Sequence, residues 1–467
     1  MAETSRLNGA IAVTRFGLGA RPGEIDGASR DPRGWLLDQI RSEGADQPVG
    51  RFRTTVESMA EMEGYRARQK EARAEQAMPA GEDAPPGERM QAATAMRRAL
   101  QGDMGEEFLA RTRLGATTAA GFRERWALFW ANHFTVSANS LAVAVIRGSY
   151  EREAIRPHVF GRFEHLATSA IRHPAMLMYL DQTASVGPST RAGQAYKRGL
   201  NENLAREVLE LHTVGVDAGY SQADVTELAR ALTGWSVGRR AARGEPLGEF
   251  YFRGALHEPG ERKVLGRAYP DGGQEQGMAV LADLANDART RRHLCRKLAA
   301  HFVADTPPPG LAAKLEAAWE RSSGDLAEVA RTLVEAPEAW SPAPAKFKTP
   351  YEFVVSSYRA AAAEPRAFRD VSVLMTSLDQ KPFNPPSPKG WPDQAVAWAS
   401  SDAVLKRLSF AERFAAMHAP AGGKPGDVAR ALLGERIGAR SLQAVERAGS
   451  REEAFTLLLM SPEFQRR

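Results

Sequence analysis

The chain has 467 residues, 43% hydrophobic and 25% charged, a globular composition of a length that suits about two or three cooperative units or one large helical domain. Its 62 basic and 57 acidic side chains leave a net charge of +5, a weak bias over this length, and no basic run interleaves with aromatics, so nucleic-acid binding is not supported. The one cysteine, Cys295, excludes an intrachain disulfide and cysteine-based zinc sites and reads as a small buried hydrophobe.

No apolar run approaches the ~20 residues needed to span a bilayer. The N-terminal stretch MAETSRLNGAIAVTRFGLGARPGE lacks a basic segment followed by an apolar one, so the expected compartment is the cytoplasm, or the periplasm or exterior if a signal was trimmed. Gly17-Leu18-Gly19 runs into Ala20-Arg21-Pro22 without the strand–turn–helix context of a dinucleotide site. There is no P-loop, no GxSxG and no HExxH, and hence no nucleotide-cofactor motif.

Helical periodicity dominates the chain. Residues 1–54 read as the N-terminal part of a helical body. Residues 55–110, rich in Glu, Arg, Ala, Met and Gln, read as a polar helical excursion broken by PAGEDAPPGE at 79–88, a flexible tip. Residues 111–467 form the main body. Within FRERWALFWANHF, Phe122, Trp126, Phe129 and His133 fall within about 60° on one helical face, so His133 points where large aromatics point. It is either a satisfied core histidine or a general base or metal ligand.

The densest group of ionisable residues lies in NENLAREVLELHTVGVDAGYSQADVTELARALTGW, residues 201–235. Over 200–214, Asn203, Glu207 and Glu210 share a face bordered by Arg206, with Leu204, Val208 and Leu211 opposite and His212 away from the two glutamates. The face is read either as solvated, with an Arg206–Glu210 pair, or as a site. Downstream, Tyr220 to Val225 reads as a capping box, Ser221 with Asp224, and Gly234 as a left-handed cap.

In GEFYFRGALHEPGERKVLGRAY, 248–269, apolar runs flank Glu258-Pro259-Gly260-Glu261, which predicts one small β-hairpin with Pro-Gly at its turn. His293 and His301 straddle a helix ending at the proline run 307–309 and are assigned to the surface or to helix packing. Four prolines within 382–388 make 381–394 a stiff extended loop. The fold class expected is mainly α: a large multi-helical body with one small hairpin near 248–269.

Several blocks together resemble a large bacterial family, domain of unknown function number eighteen hundred. They are RFGLGARPGE (15–24), WALFWANHFTVS (126–137), HPAMLMYLD (173–181), NENLAREVLELHTVGV (201–216), DVTELARALTGW (224–235), HEPGERKVLG (257–266), KFKTPYEFVVSSYRA (346–360), PFNPPSPKGWP (382–392) and SPEFQ (461–465). The resemblance spans essentially the whole chain and implies a mostly helical fold. It also implies export by a twin-arginine signal, which this N-terminus does not show, beside a partner similar to sulfatases or alkaline phosphatases. The matching polar positions are His133, Asn201, Asn203, Arg206, Glu207, Glu210, His212, His257 and Lys263. Where relatives carry His-Asp this chain has His257-Glu258. No reaction comes with the resemblance.

Two functions are expected in competition. One is a hydrolase or transferase with acid–base or metal assistance. Its catalytic candidates are His133, Asn203, Glu207 and Glu210, and its ligand-binding candidates are Arg206, His257, Lys263 and Trp391, with the loop from Asn384 to Trp391 as one wall and Trp391 as a flat apolar surface. A divalent metal would draw on His133, Glu207, Glu210, His257 and Glu258 from several helices, because no single-helix Glu/His motif is present. The other function is a non-catalytic binding or assembly protein, with the polar block as a structural network and 55–110 as a docking arm.

Overall fold

Helices make up most of the described residues, and several of them begin at an explicit start signal. The computed structural model describes residues 2–76, 88–196, 199–239 and 244–467. The helix Leu326–Glu335 shows the local logic. Asp325 caps it by accepting from the Ala327 amide at 2.8 Å, and Leu326, Val329, Ala330, Leu333 and Val334 form the buried stripe. The helix Pro350–Ala360 starts with proline in its first turn and a Thr349–Glu352 capping box, and every residue in it is buried. Ser221 and Asp224 form the capping box read from sequence, with Asp224 accepting from the Ser221 amide at 2.8 Å.

The apolar stripes meet in two cores. The larger runs from Ile11 to Trp340 and gathers the aromatics Phe16, Phe122, Trp126, Trp130, Phe134 and Phe302. The smaller gathers Phe108, Phe353, Tyr358, Phe410, Phe414 and Phe455. The N-terminal helix Ala2–Ile11 and the widened π-helical turn Ala12–Phe16 stitch them together: Ile11, Ala12 and Phe16 enter the larger core, Ala10 and Val13 the smaller. No helix among the described residues is long and apolar enough to cross a membrane.

The fold is mainly helical with little strand, as the sequence indicated, but the strands pair differently. β1 (Trp235–Val237) pairs antiparallel with β2 (Phe250–Phe252), and β3 (Arg262–Val264) with β4 (Arg267–Tyr269). The hairpin turn is therefore Leu265-Gly266, both at positive φ (51° and 85°), not Pro259-Gly260. That is the dihedral pattern of a two-residue type I′ turn. Leucine is held there by Asp224, whose second carboxylate oxygen accepts from the Leu265 amide at 2.6 Å. Pro259-Gly260 instead links the turn Gly254–Leu256 to β3.

The helices Thr55–Gln76 and Glu88–Thr117 pack along each other, and their roots belong to the body. Met59 and Met62 enter the larger core, Phe108, Leu109 and Ala116 the smaller. The tip expected at 79–88 lies, apart from Glu88, outside the described residues.

Candidate functional site

Where the two cores face each other, a cavity of about 490 Å³ opens. The larger core supplies Phe129, Asn132 and His133 from the helix Gly121–His133, and Lys297, Ala300 and His301 from the helix Ala288–Phe302. The smaller supplies Tyr351 and Glu352, and the proline-rich segment supplies Pro385, Pro386, Lys389, Trp391 and Asp393. The helix Gly121–His133 is buried almost all round, so its polar residues Arg123, Glu124, Arg125 and His133 are forced into internal pairs.

His133 is buried, with its ring 4.6 Å from that of Phe134 and 5.7 Å from that of His212. Its Nε2 faces the His212 carbonyl at 3.2 Å and its Nδ1 faces the Lys297 ammonium at 3.0 Å. A carbonyl only accepts and an ammonium only donates, so the ring is the neutral tautomer with the proton on Nε2. Burial, then the Lys297 charge, holds its pKa far below the ordinary histidine value. Lys297 is brought down to about 8, chiefly by burial; Asp393 opposes the shift and the Lys389 charge adds to it. Among the described residues Lys297 has no carboxylate in ion-pair contact, and the same holds for Lys381 and Lys389 on this cavity.

The opposite wall is a chain of ion pairs. Glu352 accepts from Arg125 and lies 3.0 Å from Arg467 Nε in an ion-pair contact. Burial raises the Glu352 pKa, but the two guanidiniums outweigh it and keep the carboxyl ionised. Asp393 contacts Lys346 Nζ at 3.0 Å, and Lys346 reaches Asp305 at 2.6 Å. His301 Nδ1 lies 3.1 Å from Asp393 Oδ1, and its Nε2 is buried without a hydrogen-bond partner among the described residues. Asn132 clasps the loop: its Nδ2 donates to the Trp391 carbonyl at 3.0 Å and its Oδ1 accepts from the Trp391 amide at 2.8 Å.

Of the residues singled out from sequence, the structure brings two to this cavity, His133 and Trp391, with the proline-rich loop as its wall. Asn203 is exposed, and Glu207 and Glu210 are half-buried on a helix that lines neither this cavity nor its neighbour. The expected meeting of their face with His133 does not occur. Arg206 is occupied by Glu202, Glu210 and Gln222 at 2.9–3.4 Å. The helix Asn203–Glu207 continues as a π-helical turn, Val208–His212, which buries Leu209 and His212 and leaves Leu211 half-buried. His257 packs its Nδ1 on the Thr233 carbonyl at 3.0 Å, Glu258 accepts from the Ser189 amide at 2.9 Å, and Lys263 is exposed on β3. No three His, Cys, Asp or Glu side chains among the described residues cluster to hold a metal ion.

Sequence reasoning missed Lys297, His301, Lys346, Glu352 and Asp393. His301, assigned with His293 to the surface or to helix packing, sits on the cavity wall beside Asp393, and His293 lines an adjoining cavity. One signal was present: basic residues, the two histidines and Ala300 recur at 289, 292, 293, 296, 297, 300 and 301, a single helical face opposite Leu294, Cys295 and Leu298.

No curated protein and no solved structure matches the chain. The family described as protein of unknown function (DUF1800) matches residues 11–466, from the first stitching helix to the last buried turn, and the chain belongs to that family.

Proposed function

We propose that the cavity between the two cores binds a small anionic ester of the phosphate or sulfate class and that the protein hydrolyses it: water bonds to phosphorus or sulfur and gives a proton to solvent, the bond to the ester oxygen breaks, and Lys297 protonates that leaving oxygen. The observation that carries this reading is Lys297 itself. It is a half-buried ammonium on the cavity wall, held by a neutral histidine and not by a carboxylate, with its pKa brought to about 8. A donor of that acidity is charged at neutral pH, attracts an anion, and gives up its proton to a leaving oxygen more readily than an ordinary lysine. Trp391 supplies an apolar wall for the organic part of the ester. No base is assigned, because His301 Nε2 is closed off in its packed position.

One observation favours a binding role without turnover: the cavity's carboxylates Glu352, Asp393 and Asp305 are each engaged by basic side chains. Calorimetric titration with phosphate and sulfate, beside turnover assays on p-nitrophenyl phosphate and p-nitrophenyl sulfate, separates the two. Binding and turnover that both disappear in Lys297→Met support the enzyme. Binding without turnover supports the second reading. Wild-type protein that binds neither anion at millimolar concentration overturns both.

A further inference from the structure

A second cavity, of about 850 Å³, adjoins the first, and Lys297, Ala300 and Asp305 line both. One of its walls is a single face of the helix Ala288–Phe302: Arg289, Arg292, His293, Arg296, Lys297 and Ala300. Those positions recur at the three- and four-residue spacing of an α-helix, and from 289 to 300 they cover about 16 Å along the axis. Arg289 is tied to Asp287 at 2.6 Å. Arg292 and Arg296 are exposed and form no ion pair among the described residues. The facing side holds the proline turn 307–309, Ala312, Ala313 and two carboxylates, Glu316 and Asp217, with Asp305 already held by Lys346. Burial, then the Lys297 charge, brings His293 down to about 4, so it adds no charge at neutral pH.

We infer that the two cavities form one site for an elongated ligand carrying at least two phosphate-class groups. One group lies at Lys297 and Lys389, and the other against Arg292 and Arg296. This inference rests on the proposed function and names its substrate class. Lys297 is the junction. Arg292 lies five residues before it, about 7–8 Å along the helix, and both Arg292 and Arg296 line the second cavity and not the first, so the second group sits in a cavity of its own. A guanidinium pair on consecutive turns of one helix presents two planar forks to the same oxyanion, geometry suited to phosphate. Asp217 and Glu316 leave the basic helix face as the one that receives the anion and turn hydroxyl-bearing parts of a ligand toward the other wall.

The test is titration at fixed ionic strength with orthophosphate, tripolyphosphate and hexane-1,6-diol bisphosphate. At least one of the two longer probes binds about tenfold more tightly than orthophosphate. The Arg292→Gln/Arg296→Gln pair brings that ratio close to one. The pair Arg440→Gln/Arg447→Gln, which removes the same charge from two exposed positions outside the lining of either cavity, keeps the wild-type ratio. A preference for tripolyphosphate indicates contiguous anionic groups, and one for the diol bisphosphate indicates groups separated by an organic spacer. Orthophosphate binding with no gain for either longer probe, or a gain that the Arg292/Arg296 pair leaves intact, overturns this inference and leaves the first site standing. Absence of binding by all three probes overturns the first site and this inference with it.

Discussion

The Asp393 carboxylate lies 3.1 Å from His301 Nδ1, across 92 residues of sequence. Burial raises the Asp393 pKa, but the His301 hydrogen bond and the Lys346 and Arg467 charges outweigh it and keep the carboxyl below its ordinary range. An ionised carboxylate only accepts, so Nδ1 carries the proton and Nε2 is the lone-pair nitrogen. Because the folded pKa is depressed, the stability this contact adds is complete above the unfolded carboxyl value near ~4 and is lost as pH falls through the lower folded value. Asp393→Asn is expected to lose about 2–4 kcal/mol at pH 7 and to flatten the acid limb of the unfolding curve. A variant whose melting temperature keeps the wild-type pH profile shows that the contact carries no stability.

Lys297 gives the opposite pH dependence. The folded protein releases this proton near pH 8 and the unfolded chain near 10.5, so between those values the unfolded state binds more protons and stability rises with pH. Lys297→Met is therefore expected to gain on the order of 1–2 kcal/mol at pH 7 and much less at pH 10, while anion binding disappears. In the wild type, anion affinity falls as pH rises through about 8. Paired thermal melts at the two pH values decide it, and equal effects at both would remove the buried charge as the cause.

Glu352 neutralises two guanidiniums at once. In Glu352→Gln, Arg125 and Arg467 keep their charge and burial without the carboxylate, at a cost of about 3–5 kcal/mol. Chemical denaturation measures it. A loss below about 1 kcal/mol indicates that solvent already screens this node.

Glu207 tests the alternative placing of the site. Burial, then the Glu210 charge, raises its pKa. The folded state therefore holds this proton more tightly than the unfolded chain, and stability declines as pH rises from about 4.5 through the raised folded value. Glu207→Gln is expected to gain up to about 1 kcal/mol at pH 7 and to leave anion binding unchanged. Lost binding or lost turnover in this variant would move the site to the helix that carries it.

Gly390 sits at φ 82° with Asn132 so close that an added Cβ would lie 2.6 Å from the Asn132 carbonyl oxygen. Gly390→Ala is expected to cost about 2–4 kcal/mol and to release the Trp391 clasp, read as altered tryptophan fluorescence and weaker anion binding. An unaltered emission spectrum with unaltered stability argues that the loop is held elsewhere.

The legible parts of this protein are those encoded locally. Helical periodicity, the Ser221–Asp224 box, the inward direction of His133 and the absence of regular helix or strand in 381–394 all depend on neighbours within a few residues. The strand pairing is not legible because Leu265 occupies a left-handed turn position that leucine rarely takes unaided, and its support, Asp224, lies 41 residues earlier. The buried face of 203–212 departs from expectation at Leu211 because a uniform 100° rotation does not hold through a π-helical turn, where the angle per residue is smaller. The cavity is not legible as a unit because its members look ordinary alone. His301 reads as surface or helix packing, and nothing in the local sequence marks Lys297, Lys346, Glu352 or Asp393 as members of one site.

The clasp between Asn132 and Trp391 closes a separation of 259 residues, Arg125 to Glu352 closes 227, and Lys297 to His133 closes 164. Contacts that distant are expected to form late, because the entropy of closing such loops must be met before they are made. Until the two cores dock, Arg125 and Glu352 are ordinary hydrated charges, and Lys297 lacks the wall that carries Asp393 and Lys389. In a refolding experiment, helix content and aromatic burial should therefore recover before anion binding does, and the arrival of binding marks the docking of one half on the other.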